Sequence, residues 1–496
     1  MLQMLGVCAR PYGSDDQVRS ADDYRDDDQF TYRHLEPQQP SQRAKHPDYV
    51  NGDSRVHVHF LGDIPTEVGR YVCVPSVMVF AMPRTRHSRA EGVRRRPKDR
   101  KAQIARASAE AFSALGYYGV SMETIAKRVG ISAAALYRHY SSKYELFRDA
   151  VLNLGQQLVD CTAFADEAAD DPELTLRRIV SALIDTAMAN RESGGLYRWE
   201  GRYLRGDDQA TLIAQMRTVH HRMQRPLMVI RPELTSRQRW TLTTSALSVI
   251  GSIVDHGAKL PAIQVRALLA DLADTVLAAE LPDVVDGAAE TRPPAAAATD
   301  TPKYEALLNE SMRLFNLKGY RDTSMEDIAA AVGMPASGIY RYFSGKSDIL
   351  AAAFRRAADR LSAELSAIVG AVPDREDALT AIIDAYVTRS FDQPELDYVY
   401  YTERLHMTVG DQKILRNLQR ANVESWVDLV VSVRPEWTPG QARFAVHAAM
   451  SLVVDLGRLM RYENSAPARA IVQRLVDLTL LGRYRLRAAL PAKYAT

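Results

Sequence analysis

Two octapeptides hold side chains suited to gripping phosphate: LYRHYSSK at 136–143 and IYRYFSGK at 339–346. Tyr137, His139 and Lys143 in the first, and Tyr340, Tyr342 and Lys346 in the second, carry hydroxyl, imidazole and ammonium groups with the reach to bond phosphate oxygens. Just upstream stand small residues: Ser132, Ala133, Ala134 and Ala135 in one place, Pro335, Ala336, Ser337 and Gly338 in the other. On a helix lying in a major groove, small side chains let the backbone come close and touch thymine methyls, with little hydrogen-bond readout. The start of the helix after Lys143 adds free N–H groups and a positive dipole end, a favourable seat for phosphate.

Other stretches offer less. WEGRYLR (199–205) and YYTERLHM (400–407) mix aromatic, acidic and basic side chains. There Trp199, Tyr203, Tyr401 and Arg404 have the chemistry to line a pocket, and equally that of helix packing and surface ion pairs. His220, His221 and His256 show no metal-ligand spacing, and His57 and His59 in VHVHF fit one face of a short strand. The chain has no G-x-S-x-G, no H-E-x-x-H, no Gly-rich phosphate loop and no Glu-x-x-His pairs at bundle spacing. No catalytic residue, metal or cofactor is therefore expected, and the protein does not read as an enzyme.

A helical scaffold must position the phosphate-gripping groups. The 496 residues are too many for one ordinary core, and 46% apolar with 25% charged is a soluble globular composition. A net charge of +2 means that any nucleic-acid role rests on local basic patches. Three scattered cysteines without C-x-x-C suit a reducing cytosol. The sequence shows neither an apolar run long enough for a membrane span nor a signal peptide, so a cytoplasmic location away from membranes is expected. Residues 1–81 read as a largely disordered segment or as an over-extended reading of the gene, because Met82 opens sequence that looks like a beginning. Residues 82–100, with RRRPK at 94–98, form a basic arm whose grip on DNA would weaken steeply with salt.

Helical periodicity then sets in. Ile104, Ala107, Ala111, Phe112 and Leu115 line one face, and Gly116 closes that helix. Ser121 caps a second helix with inner residues Ile125, Ala126 and Val129; Ser132 caps a third after Gly130; Ser142 and Glu145 stand as a capping box for a fourth. Amphipathic helices fill 145–280, and the Pro- and Ala-rich run that follows reads as a linker over 281–301. Beyond it the same order returns. A shift of 203 residues lays Phe112 on Phe315, Gly116 on Gly319, Ser121-Met122-Glu123 on Ser324-Met325-Glu326 and Lys143 on Lys346. It also lays RPELT (231–235) on RPEWT (434–438). One register across the full length means duplication of a whole unit. Three short helices with a glycine between the second and third describe a helix-turn-helix.

SMETIAKRVGISAAALYRHYSSKYEL and SMEDIAAAVGMPASGIYRYFSGKSDI both resemble the DNA-binding domain of the TetR (tetracycline-repressor-like) family of bacterial transcription regulators. The resemblance implies an all-α fold: two tandem helix-turn-helix domains, each followed by a helical ligand-binding and dimerisation domain. The expected divisions are 101–148 and 302–351 for the DNA-binding domains, and 149–280 and 352–485 for the regulatory ones. It carries phosphate contact to Tyr137, His139 and Lys143, the recognition face to 132–135, and the start of the bracing helix to Ser121 and Met122. In the second unit the matching residues are Tyr340, Tyr342 and Lys346, then 335–338, then Ser324 and Met325. Departures there imply a weaker or different reader. Tyr342 stands where the family has histidine, Pro335 replaces the cap serine, and Gly338 costs a helix up to about 1 kcal/mol relative to alanine.

The implied partners are double-stranded DNA and a small, largely apolar effector. The implied function is ligand-responsive repression, with loss of DNA binding in one or both heads, leaving an interaction scaffold, as the alternative. The two heads act either as an internal pseudo-dimer or within a homodimer of tandem chains. A flexible linker of this length spans about 25 Å on average and about 70 Å fully extended, which permits internal pairing.

Overall fold

The computed structural model describes residues 100–167, 171–282 and 302–482. The N-terminal segment, the basic arm up to residue 99 and residues 283–301 of the linker lie outside them. Among the described residues every regular element is helical, as the periodicity requires.

The first head comprises α1 (Arg100–Gly119), α2 (Met122–Val129) and α3 (Ala133–Tyr137). Then come α4 (Lys143–Cys161), α5 (Pro172–Ala189), α6 (Gly206–Ile230), α7 (Ser236–Gly251) and α8 (Ala262–Leu277). The second unit repeats the order with α9 (Lys303–Lys318), α10 (Met325–Ala331), α11 (Ala336–Ile339), α12 (Lys346–Ala371) and α13 (Arg375–Asp392). It continues with α14 (Pro394–Glu403), α15 (Val409–Val433), α16 (Pro439–Leu459) and α17 (Ala466–Leu481).

The starts and stops follow from the caps. Ser121, Ser132 and Ser142 accept from the backbone N–H groups of Thr124, Ala135 and Glu145, and Gly130 ends α2 in a left-handed conformation. The fourth cap differs from the expected box, because the Glu145 carboxylate accepts from the N–H and hydroxyl of Ser141 rather than from Ser142. Pro335 offers no side-chain cap, and α11 is four residues long against five for α3. Gly116 and Gly319 have φ of +71° and +87°, where a side chain is strained, and so both first helices break at the same place.

The units differ between α5 and α6. Gly194 and Gly195 replace the helix-forming residues of α14, and the chain makes a π-helical turn at Leu196–Glu200 and a 3₁₀ turn at Gly201–Tyr203. A Cβ on Gly194 would lie 2.6 Å from Val254, so only glycine lets this turn settle against the segment after α7.

The packing is continuous. α7 packs on α16 and α8 on α17, and one apolar core runs from Leu183 and Val249 of the first unit to Val387 and Leu452 of the second. Thr241, Thr243 and Ser245 of α7 are buried, each hydroxyl donating to a carbonyl four residues back. Each head has its own core, and each of those cores extends into the helical layer that follows it: Leu196, Leu204 and Leu212 join the first, Val399, Met407 and Leu415 the second.

Candidate DNA-reading heads and regulatory cavities

In the first head α3 and the turn after it place Leu136 and Tyr140 inward and leave Tyr137, Arg138 and His139 outside, with Tyr137 half exposed. Ser132 and Ala134 are exposed beside them, while Ala133 and Ala135 are half-buried. In the second head Tyr340, Arg341 and Tyr342 take the same outward places, as do Pro335 and Ser337, with Ala336 and Gly338 half-buried. Lys127 and Arg128 add two exposed cations at the end of α2. The matching residues of the second head are Ala330 and Ala331, so that head is two positive charges poorer on this face. The arginine of each Tyr-Arg pair is an exposed cation that family matching alone did not single out.

Several expected DNA contacts have other employment. Met122 and Met325 are buried in the cores of their heads and do not face outward. The Ser121, Ser132 and Ser324 hydroxyls are acceptors in helix caps. The Lys143 ammonium, expected on phosphate, donates to the carbonyls of Tyr117 (3.1 Å) and Val120 (3.2 Å) and lies 4.6 Å from the centre of the Tyr117 ring. Lys346 repeats this on the carbonyls of Tyr320 (2.6 Å), Arg321 (3.1 Å) and Thr323 (2.6 Å). Each lysine thus ties the start of its head's fourth helix to the turn just past the first, satisfying carbonyls there. Partial burial, and then the neighbouring Arg321 charge, lower both ammonium pKa values.

The heads meet each other and the helical layer behind them at these helix ends. The Arg321 guanidinium sits 3.7 Å from the centre of the Tyr118 ring, and the two residues are equivalents under the 203-residue shift. Equivalents in contact mark the pseudo-two-fold axis of the molecule. Behind them, the Tyr117 N–H donates to the buried Glu200 carboxylate at 2.7 Å. Arg202 donates to Glu403 (2.6 Å) and to the Thr402 carbonyl (2.7 Å) across the axis. His406, 3.2 Å from Glu403, stacks on Tyr320 of the second head. Deeper still, Arg198 lies 3.0 Å from Asp455 of the other unit and 3.3 Å from Asp255 of its own, and donates to Ser451 at 3.0 Å. Burial works against the Arg198 charge, yet Asp455 and Asp255 outweigh it and hold its pKa above the usual arginine value.

Against this geometry stand the likenesses to known proteins. The family model described as "Bacterial regulatory proteins, tetR family" matches twice, over residues 104–150 and 307–353. The chain thus carries two tetR-family DNA-binding domains in tandem. It is 36% identical over 92 residues to the HTH-type transcriptional activator FasR of Mycolicibacterium smegmatis, a match covering 18% of this chain and 42% of FasR. With the transcriptional repressor LfrR of the same organism it is 28% identical over 158 residues, 29% of this chain and 74% of LfrR. Among solved structures, the tetR-family regulator PfmR of Thermus thermophilus aligns with 23% identity and a TM-score of 0.31, over 35% of this chain and 96% of PfmR. KstR2 of Mycobacterium tuberculosis aligns with 18% identity and a TM-score of 0.33, over 37% of this chain and 95% of its own.

Each unit holds a cavity. In the first, about 100 Å³ lies among Leu158, Leu183, Met216 and Val219, with Trp199 in its wall. In the second, about 770 Å³ opens between α12, α14, α15 and α16, with Tyr401 and Arg404 in its wall. Trp199 and Tyr401, both expected to line a pocket, stack on each other, 4.4 Å apart and 10° from parallel, and each backs a different cavity. The Trp199 indole N–H donates to Asp255 at 2.7 Å. Tyr203 packs instead against Tyr117 and Tyr118 under the first head and accepts from Arg202 at 2.7 Å. No helix among the described residues is long and apolar enough to cross a membrane.

Proposed function

We propose that this chain is a sequence-specific, DNA-binding transcriptional regulator, a ligand-responsive repressor whose two heads work as an internal pseudo-dimer. The observation that carries the reading is the contact of equivalent residues Tyr118 and Arg321 on an axis through one shared core. It supports the reading that one chain presents its two recognition helices in the pseudo-symmetric pairing that a two-fold operator needs. LfrR, of which the chain spans the larger share, is named a repressor, which favours repression over activation. Tyr137, Arg138, His139, Ser132 and Ala134 would read and hold the first half-site. Tyr340, Arg341, Tyr342, Pro335 and Ser337 would take the second. Lys143 and Lys346 would act by fixing the helix ends from which these loops hang. A ligand in a regulatory cavity would change the spacing of the heads, provided that it binds the two arrangements with different affinity.

The test is DNA binding by full-length variants whose fold is checked by circular dichroism. Changing Tyr137 and Arg138 to alanine should cost most of the affinity, and changing Tyr340 and Arg341 should cost less. Changing Lys127 and Arg128 to alanine should lower the slope of log K against log salt by about 1–2, roughly one for each phosphate no longer neutralised. Unchanged affinity in all three variants would exclude these faces as the DNA interface and leave a scaffold.

A further inference from the structure

The two cavities began as copies, yet their walls now differ in charge. Arg404 and Arg416 line the second cavity; the equivalent residues of the first unit are Gly201 and Ile213. The Arg404 guanidinium lies 5.3 Å and 5.9 Å from the centres of the Tyr400 and Tyr401 rings, and among the described residues it has no ion-pair partner. A half-buried, unpaired arginine at the wall of a cavity is an unmet demand for an anion.

The acidic groups of the wall do not meet that demand. Asp255 is taken by Arg198 and Trp199, and Glu424 is paired with Arg443. Asp397 is the remaining carboxyl, and burial pushes its pKa up, toward the neutral form. Arg416 and Arg420 add exposed cations to the same wall. His256 supplies a neutral donor. Its Nδ1 accepts from the Ala258 N–H at 3.2 Å, which leaves the proton on Nε2, and Nε2 has no partner. The remainder of the wall, including Phe354, Leu361, Leu415 and Met450, is apolar.

We propose that the second cavity binds an amphipathic organic monoanion, with its carboxylate on Arg404 and its apolar body against Phe354, Leu361, Leu415 and Met450. This sharpens the expectation of a largely apolar effector: Arg404 is unpaired in the wall of the second cavity, whereas Arg198 in the wall of the first is held by Asp255 and Asp455. The regulatory consequence rests on the reading of the chain as a DNA-binding regulator. Ser113 and Ala114 of α1 form part of the same wall, and Leu405 would lie 3.3 Å from a Cβ on Gly116. A ligand held by Arg404 therefore presses on the first helix of the first head.

The test is calorimetry on the DNA-free, full-length chain with two acid and alcohol pairs: laurate with 1-dodecanol, and 2-naphthoate with 2-naphthalenemethanol. At least one acid should bind tighter than its alcohol by on the order of tenfold to a hundredfold, the worth of one charge-assisted contact. Arg404→Leu should erase that preference and leave alcohol binding as it was; Arg404→Lys should keep part of it. Equal binding of acid and alcohol, no binding of either pair, or a preference that survives Arg404→Leu in folded protein would each overturn the proposal. DNA binding is measured separately without ligand. A chain that binds DNA but shows no acid preference sinks only this inference, whereas one that binds the acid but no DNA sinks the regulator reading.

Discussion

Replacing Arg198 by methionine should cost the protein about 3–5 kcal/mol, the range for stripping one partner from a buried ion cluster. The side chains of Arg198, Asp255 and Asp455 are only 10%, 9% and 7% exposed, so water screens little of the attraction. At an effective dielectric of about 20, each contact near 3 Å is worth up to about 5 kcal/mol before desolvation is subtracted. Methionine keeps the apolar stem but leaves two buried carboxylates from opposite units facing each other. The loss should show in urea unfolding followed by circular dichroism, and Trp199, which donates to Asp255, gives a fluorescence signal at the same place. Asp455→Asn in the Arg198→Met background should restore much of the loss, because it removes one of the stranded charges. The pH dependence has a definite sign. Burial already raises the Asp255 pKa, and without Arg198 it would lie further above the unfolded value. The deficit should therefore be largest at neutral pH and shrink as pH falls toward the unfolded pKa near 4. A variant within about 1 kcal/mol of wild type, or one with less than about 0.5 kcal/mol of coupling to position 455, would refute the cluster as the bolt between the units.

The heads and the buried histidines give further expectations. Met122→Ala should lower stability by about 2–5 kcal/mol in chemical denaturation, because the side chain fills the core of the first head; a fully stable variant with weakened DNA binding would return Met122 to the interface. Lys143→Met should lower stability by about 1–3 kcal/mol whatever the salt concentration, since its ammonium satisfies carbonyls. A purely salt-dependent loss of DNA affinity with unchanged melting would contradict that role. Burial lowers the pKa of His220 to about 3 and that of His447 to about 4, so the folded protein keeps both neutral while the unfolded chain protonates them near 6.5. Stability should fall as pH drops from 7 to 5, by about 2 kcal/mol for each histidine. His220→Phe should flatten that slope in thermal melts; an unchanged slope would show that His220 is accessible to protons.

The repeat and the caps were legible because they are local. Serines three residues ahead of a free N–H, and glycines where φ turns positive, act within one helical turn, and the 203-residue register carries them over to the second unit. Direction was not legible. Spacing places Lys143 at the start of α4, but whether its flexible stem swings outward to DNA or inward to α1 depends on carbonyls 23 and 26 residues away. Met122 matches a family position that starts the bracing helix, while its burial comes from its place in the core of the first head. Trp199 and Tyr401 stood out by composition, yet their stacking joins residues about 200 positions apart, a contact that no local pattern encodes. Arg198 carries no local signal for the same reason, since Asp455 lies 257 residues away in sequence. The charge of the second cavity was present in the letters as Arg404 against Gly201, but it became readable only once the fold showed which positions face the same space.

Two unlike heads in one chain should read DNA together, and selection of binding sites from a random duplex pool by the purified full-length chain decides whether they do. Two unlike half-sites at a fixed spacing, bound by one chain, is the expected result, with the stronger enrichment on the half-site of the first head. A strict palindrome that binds two chains would contradict internal pairing, and no enrichment at low salt from folded, ligand-free protein would contradict DNA reading itself.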